Sequence, residues 1–240
     1  MAETQALALK DETVKAFTTL KQISKEATPY VFAATDNIEA DIKVASAIVQ
    51  MEKALKHPSV MGVIKSLAGN RVGFLTDKDS KGGYDDDTLA NCCLEAMLKG
   101  LSLRGQEWNI IGGRCYVTKA GAWTVMLSYP GVTDVEVVPG KLRNVEGEHY
   151  ITMLCTWKYG GVEDSIEREF PIKAPPSPSY ELFVGKGTRK ILVAAVEKIT
   201  GKRGFIGEGE LDDAGPGKRA VQNTAPSGVG SGNVRDKGAS

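Results

Sequence analysis

His57 and His149 are the only histidines among the 240 residues. Neither stands in the His-Glu-x-x-His or Cys-x-x-Cys spacing that gathers ligands around zinc. His57 ends a helical pattern and His149 opens an alternating one, so both read as structural or solvent-facing. Gly185-Lys186-Gly187-Thr188 is the nearest approach to a phosphate loop. It lacks the earlier glycine with which G-x-x-x-x-G-K-S/T wraps backbone N–H groups around a phosphate, and no G-x-G-x-x-G follows a strand. Asp85, Asp86 and Asp87 could offer hard oxygen ligands to a divalent ion, the seed of a magnesium-dependent nuclease. Adjacent residues on a helix diverge, however, and three carboxylates equally suit a helix amino end. No Ser-His-Asp set assembles from spacing. The sequence thus predicts a protein that is not an enzyme, with no catalytic residue, metal ion or cofactor.

Charge is more informative. Lys plus Arg and Asp plus Glu number 30 each, so only the distribution of charge can favour a polyanion. Between Gly185 and Arg203, six cations (Lys186, Arg189, Lys190, Lys198, Lys202 and Arg203) face Glu197 alone, a local net charge of +5. A second basic region interleaves aromatics: Arg104, Trp108, Arg114, Tyr116, Lys119 and Trp123, with Lys141 and Arg143 beyond it. Cations on phosphates and aromatic rings on unpaired bases are how single-stranded nucleic acid is held. The same residues also fit a plain solvated helix face and apolar anchors for a core or a protein interface.

These residues need elements to carry them. Apolar residues make up 42% and charged residues 25%, enough for a real core in one unit, predicted over residues 1–206. From Leu7 to Leu55 the pattern is two helices, broken at Ala27-Thr28-Pro29, with the second starting near Asp36. Pro58 to Leu67 is a short third helix. Arg71 to Leu75 reads as a strand and Thr76 to Tyr84 as a polar loop. A helix capped by Asp85 or Asp86 carries Leu89, Cys92, Cys93, Ala96, Met97 and Leu101. Trp108 to Ile111 and Arg114 to Val117 pair across Gly112-Gly113, and Thr118 caps another helix. Asp134 to Val138 opens a second β region. His149 to Lys158 and Ser165 to Ile172 form a hairpin, the former with Ile151, Met153, Cys155 and Trp157 on one face. After Ala174-Pro175-Pro176-Ser177-Pro178, a long amphipathic helix, Tyr180 to Thr200, covers the sheet. Residues 207–240, rich in Gly and Ser, read as a flexible tail. The expected class is α+β: a helical N-terminal region, central mixed β-hairpins with a helix, and a long closing helix.

Cys92, Cys93, Cys115 and Cys155 form neither a disulfide framework nor a zinc knuckle and read as reduced, buried thiols. No run approaches the roughly 20 apolar residues that span a bilayer, and Met1 to Lys10 lacks a signal-like core. A cytoplasmic protein with no membrane partner is the expectation.

The stretch Leu89 to Gly131, above all AMLKGLSLRG and EWNIIGGRCYVTKAG, resembles the phage single-strand annealing proteins of the RecT and Red-beta type. Ala96 to Leu101 is similar to their helix ending in an Ala-rich, Gly-Leu signature, and Asn109 to Gly121 to the adjoining hairpin and following helix. The hairpin departs from the family's more proline- and asparagine-rich form. The resemblance implies cooperative binding of single-stranded DNA and ATP-independent pairing with complementary DNA in homo-oligomeric rings or filaments, in a bacterial host during phage recombination. It implies no hydrolysis. Carried onto this chain, Arg114, Tyr116 and Lys119 are the central DNA candidates and Lys186, Arg189 and Lys190 further ones. A single-strand-binding protein or exonuclease is a partner the tail would recruit. The competing class is a homo-oligomeric structural or protein-interaction module.

Overall fold

The computed structural model describes residues 2–33, 37–173, 175 and 178–202. The expected tail, and with it Arg203, lies outside the described residues. The order is α1 (Ala2–Val31), α2 (Ile38–Leu55), α3 (Pro58–Leu67), α4 (Asp86–Leu98), β1 (Trp108–Ile111), β2 (Arg114–Val117), α5 (Lys119–Ser128), β3 (Val132–Val145), β4 (Glu148–Tyr159), β5 (Val162–Ile172) and α6 (Tyr180–Thr200). This is an α+β fold with helices first, a mixed β region with a helix in the middle, and a long helix at the end.

Side-chain caps fix where helices begin. Asn37, Asp85, Thr118 and Ser179 each accept a hydrogen bond from the backbone N–H three residues on, opening α2, α4, α5 and α6. The expected break at Pro29 is absent, because α1 runs through it to Val31. Proline lacks the N–H that would donate to the carbonyl four residues back, so α1 gives up one bond near its end and continues only two residues further. α4 stops where Gly100 takes φ +77°. There Leu101 N–H reaches Ala96 O at 3.0 Å and Gly100 N–H reaches Met97 O at 2.9 Å, the paired bonds of a glycine-terminated helix.

β3, β4 and β5 form one antiparallel meander in that order, and β1–β2 a separate hairpin. β3 is longer than the expected Asp134–Val138 and absorbs two register shifts, at Thr133/Glu136 and Pro139/Leu142. On β4, Ile151, Met153, Cys155 and Trp157 are buried as their alternation requires. α6 lies across that face, its Ile191, Leu192, Ala195 and Val196 buried against it. The same core continues through α5 (Ala122, Val125, Met126), the hairpin (Trp108, Ile110, Val117) and α4 to the N-terminal helices, where Leu20, Met51, Leu55 and Ile64 are buried. Ser24 Oγ donating to Met97 O at 2.6 Å, and Lys202 Nζ donating to Val31 O at 2.9 Å, tie α1 to α4 and to the end of α6.

Gly187 lets α6 approach the sheet. A Cβ there would lie 2.8 Å from Met153 Sδ and 2.9 Å from Ile151 Cγ2, so the second glycine of Gly185-Lys186-Gly187-Thr188 has a packing reason. Gly187→Ala should cost about 1–3 kcal/mol of unfolding free energy through overpacking. Gly185→Ala, which meets nothing within 4 Å, should raise stability by about 0.5–1 kcal/mol through helix propensity. Urea denaturation of both variants checks the contrast.

Candidate nucleic-acid interface

β1 is flanked on both sides. β2 pairs with it antiparallel, and the segment 72–77 runs parallel along its other edge. Ile110 N–H donates to Leu75 O at 2.9 Å, Asp77 N–H to Ile110 O at 3.1 Å, and Leu75 N–H to Asn109 Oδ1 at 3.1 Å. The expected strand Arg71–Leu75 is therefore present only as isolated bridges, Ala68↔Phe74 and Thr76↔Ile110. Gly73 makes the path possible, since a Cβ would fall 2.1 Å from Leu67 O. Beneath this layer Trp108 is fully buried, stacked 4.1 Å from Phe74, with its indole N–H donating to Ser102 O.

The hairpin tip is pinned from outside. Gly112 and Gly113 take φ +60° and +75°, the two left-handed positions of a tight hairpin turn. Gly112 N–H donates to Asp77 Oδ2 at 3.1 Å, Gly113 N–H to Tyr84 Oη at 2.8 Å, and Tyr84 O–H to Asp77 Oδ1 at 2.6 Å. Partial burial, then the Asp77 carboxylate, push the Tyr84 hydroxyl up to about 12. Partial burial works to raise Asp77, yet the Tyr84 and Gly112 donors outweigh it and hold the carboxyl below its ordinary value.

The opposite end is fastened through Glu107. Its carboxylate accepts from Ser102 N–H at 2.7 Å and from Thr124 Oγ1 at 2.9 Å. Gln106 Nε2 donates to Arg71 O at 2.8 Å, and Thr118 Oγ1 to Gln106 O at 2.8 Å. The loop bearing Arg104 is so held between Arg71 and the first residue of α5, Lys119.

Exposed cations stand at both ends of this small sheet: Arg71, Arg104 and Lys119 at one, Lys78, Lys81 and Arg114 at the other. None of the six is held in an ion pair among the described residues, although Lys78 Nζ lies 4.3 Å over the Tyr84 ring. At about 3.3 Å per residue, the four-residue ladder is roughly 13 Å long, room for several consecutive phosphates of one strand.

The other expected contact residues lie elsewhere. Arg189 is in the core instead of on the surface. Its Nε donates to Val117 O at 2.7 Å and its guanidinium sits 4.2 Å over the half-buried Tyr116 ring. Lys186 and Lys190 donate to Lys173 O and Pro171 O, both at 3.0 Å, and Lys198 to Ser165 O and Asp164. These lysines cover the outward carbonyls of β5, an edge strand. Lys141 and Arg143 are exposed on β3, Arg143 in a two-pronged pair with Glu169 of β5. By strand alternation the open face of that sheet carries Glu136, Glu148, Glu163, Glu167 and Glu169 against Arg143 and Lys158, a surface that repels phosphate. The nine candidates thus divide into Arg104, Arg114 and Lys119 on the small sheet, Tyr116 and Arg189 inside, and the rest around the meander. Arg71, Lys78 and Lys81 are new to the set. Their signal in the sequence was only positive charge in a loop, because the pairing that gathers them is parallel and non-local.

The acidic cluster is accounted for locally. Asp85 caps α4 through Thr88 N–H at 2.7 Å, which holds its carboxyl below the ordinary value, while Asp86 pairs with Lys65 at 2.6 Å and Asp87 with Lys56 at 3.2 Å. Among the described residues no three His, Cys, Asp or Glu side chains converge as metal ligands. His57 precedes α3 with Nδ1 2.8 Å from Ser59 Oγ, and His149 packs on Phe183. All four cysteines are buried and unpaired. No described helix is long and apolar enough to cross a membrane.

Tyr84→Phe should cost about 1–2 kcal/mol by leaving Asp77 and Gly113 N–H without their shared partner. The Tyr84 hydroxyl titrates above its ordinary value of 10 in the folded chain, so the unfolded chain loses this proton first. Its contribution is whole below pH 10 and is lost as pH climbs towards 12. Thermal unfolding across that window should fall more steeply for the parent than for Tyr84→Phe. No family model, curated protein or solved structure matches the chain.

Proposed function

We propose that the chain binds single-stranded DNA along the small sheet and pairs it with complementary DNA without ATP, as a homo-oligomeric phage recombination protein working in the cytoplasm of a bacterial host. The observation that carries this reading is the set of six exposed, unpaired cations at the two ends of one sheet. Of the other basic side chains, Lys56, Lys65, Arg143, Lys158 and Lys198 are committed in ion pairs and Lys186 and Lys190 on backbone carbonyls, and the exposed Lys15, Lys21, Lys25, Lys43, Lys53, Lys141 and Arg168 are spread over α1, α2 and the meander. The sheet also lies in the stretch that resembles the annealing proteins, Leu89 to Gly131. Annealing needs no nucleophile or metal, only neutralised phosphates and accessible bases. Recruitment of a single-strand-binding protein or an exonuclease belongs to the same reading. A nuclease is not favoured, because the aspartates that suggested one are taken up by a cap and two ion pairs.

Replacing Arg104, Arg114 and Lys119 together with Gln should weaken binding of a labelled single-stranded oligonucleotide. It should also flatten the dependence of log affinity on log salt by roughly 2, at about 0.7 for each lost phosphate contact. Arg143→Gln should leave both unchanged. In parallel, the parent protein should speed annealing of complementary oligonucleotides with no ATP present. Absent or salt-insensitive binding, or binding without accelerated pairing, would remove this function.

A further inference from the structure

α2 carries apolar residues on two opposite faces. Ala40, Ala47, Met51 and Leu55 are buried against the neighbouring helices. Ile38, Ile42 and Val49 are instead 74%, 64% and 68% exposed. With the exposed Ala45 they recur at i, i+4, i+7 and i+11, a second stripe about 180° around the helix from the first. At 1.5 Å per residue the stripe is roughly 16 Å long. Single exposed aliphatic residues are ordinary, but four in register with the spacing of a two-helix seam mark a contact surface.

We propose that this stripe binds a second copy of the same chain, the two α2 helices lying antiparallel about a twofold axis near Ser46. The flanking charges select that occupant. Glu39 and Lys53 lie on the same flank of the stripe, towards opposite ends, and neither has an ion-pair partner among the described residues. Turning one copy about position 46 sets Glu39 of each against Lys53 of the other, so one patch complements itself twice, as a twofold interface requires. The same turn sets Ile42 against Val49 and leaves the small Ala45 near the crossing, where the helices must come closest. A parallel pair would carry the two Glu39 side chains, and the two Lys53 side chains, to opposite flanks of the seam, and the Glu39–Lys53 pairs would not form. The inference rests on the homo-oligomer of the proposed function and names one interface of it, and its test needs no nucleic acid, so it fails separately from the DNA-binding measurements.

Sedimentation equilibrium of the full chain without DNA, over a wide concentration range, tests it. The parent should self-associate. Ile42→Asp with Val49→Asp should weaken association by at least about tenfold, with an unchanged circular dichroism spectrum because both side chains already face solvent. Glu39→Lys should weaken it as well, and adding Lys53→Glu should restore it by swapping the pair. A parent that stays monomeric, an apolar double variant that associates like the parent, or a charge swap that recovers nothing over Glu39→Lys alone would each overturn the proposal.

Discussion

A single buried cation joins the hairpin to the closing helix. Arg189 is 5% exposed, and removing a guanidinium from water costs several kcal/mol unless polar partners replace the solvent. Its Nε meets the carbonyl of Val117 and its flat face meets the ring of Tyr116. A desolvated contact of the latter kind is worth about 2 kcal/mol. Val117 ends β2, and the next residue, Thr118, caps α5. One side chain therefore ties α6 to the end of β2, next to the cap that opens α5. The planar, weakly hydrated guanidinium suits this joint better than an ammonium would. Gly187, one half-turn earlier, keeps α6 close enough to Ile151 and Met153 for the reach to be made.

Local chemistry made much of this fold legible. Caps at Asp85 and Thr118, the Gly112-Gly113 turn, the alternation on β4 and the span of α6 all follow from residues close in sequence, and the structure has them where those residues put them. Three things were not legible for a physical reason. Helix α1 passes Pro29 and stops two residues later, so the proline lies inside the last turn and the stop falls beyond it. Segment 72–77, read in part as the strand Arg71–Leu75, pairs with residues more than thirty positions away, so no local pattern announces which strand it lies beside. Charge content also says nothing of what each charge faces. Lys186 and Lys190 look as free in the sequence as Lys119, yet they cover edge carbonyls, and Arg189 is interior.

The balance of 30 cations against 30 anions conceals a division between surfaces. The meander turns glutamates outward and uses Arg143 and Lys158 to relieve their mutual repulsion through Glu169 and Asp134. The small sheet engages its carboxylates in hydrogen bonds: Asp77 on the hairpin tip, Asp79 on Thr76, and Glu107 on Ser102 and Thr124. These carboxylates are tied to backbone and hydroxyl donors, so the neighbouring lysines and arginines are not held in ion pairs among the described residues, although Lys78 still feels Asp77 and Asp85. The two surfaces thus differ in what their carboxylates hold, cations on the meander and mainly backbone and hydroxyl donors on the small sheet.

This arrangement bears on how a strand would be held. Trp108 is stacked on Phe74, and Tyr116 lies under Arg189, so the aromatic residues that looked available for bases are engaged in the protein. On the proposed function, recognition through the small sheet would be a matter of phosphates, indifferent to sequence and sensitive to salt. For annealing that is an advantage, because a base stacked on a protein ring has to be released before it can pair. A surface that grips phosphates and leaves base edges in solvent lowers the repulsion between two strands while keeping their pairing groups exposed to one another.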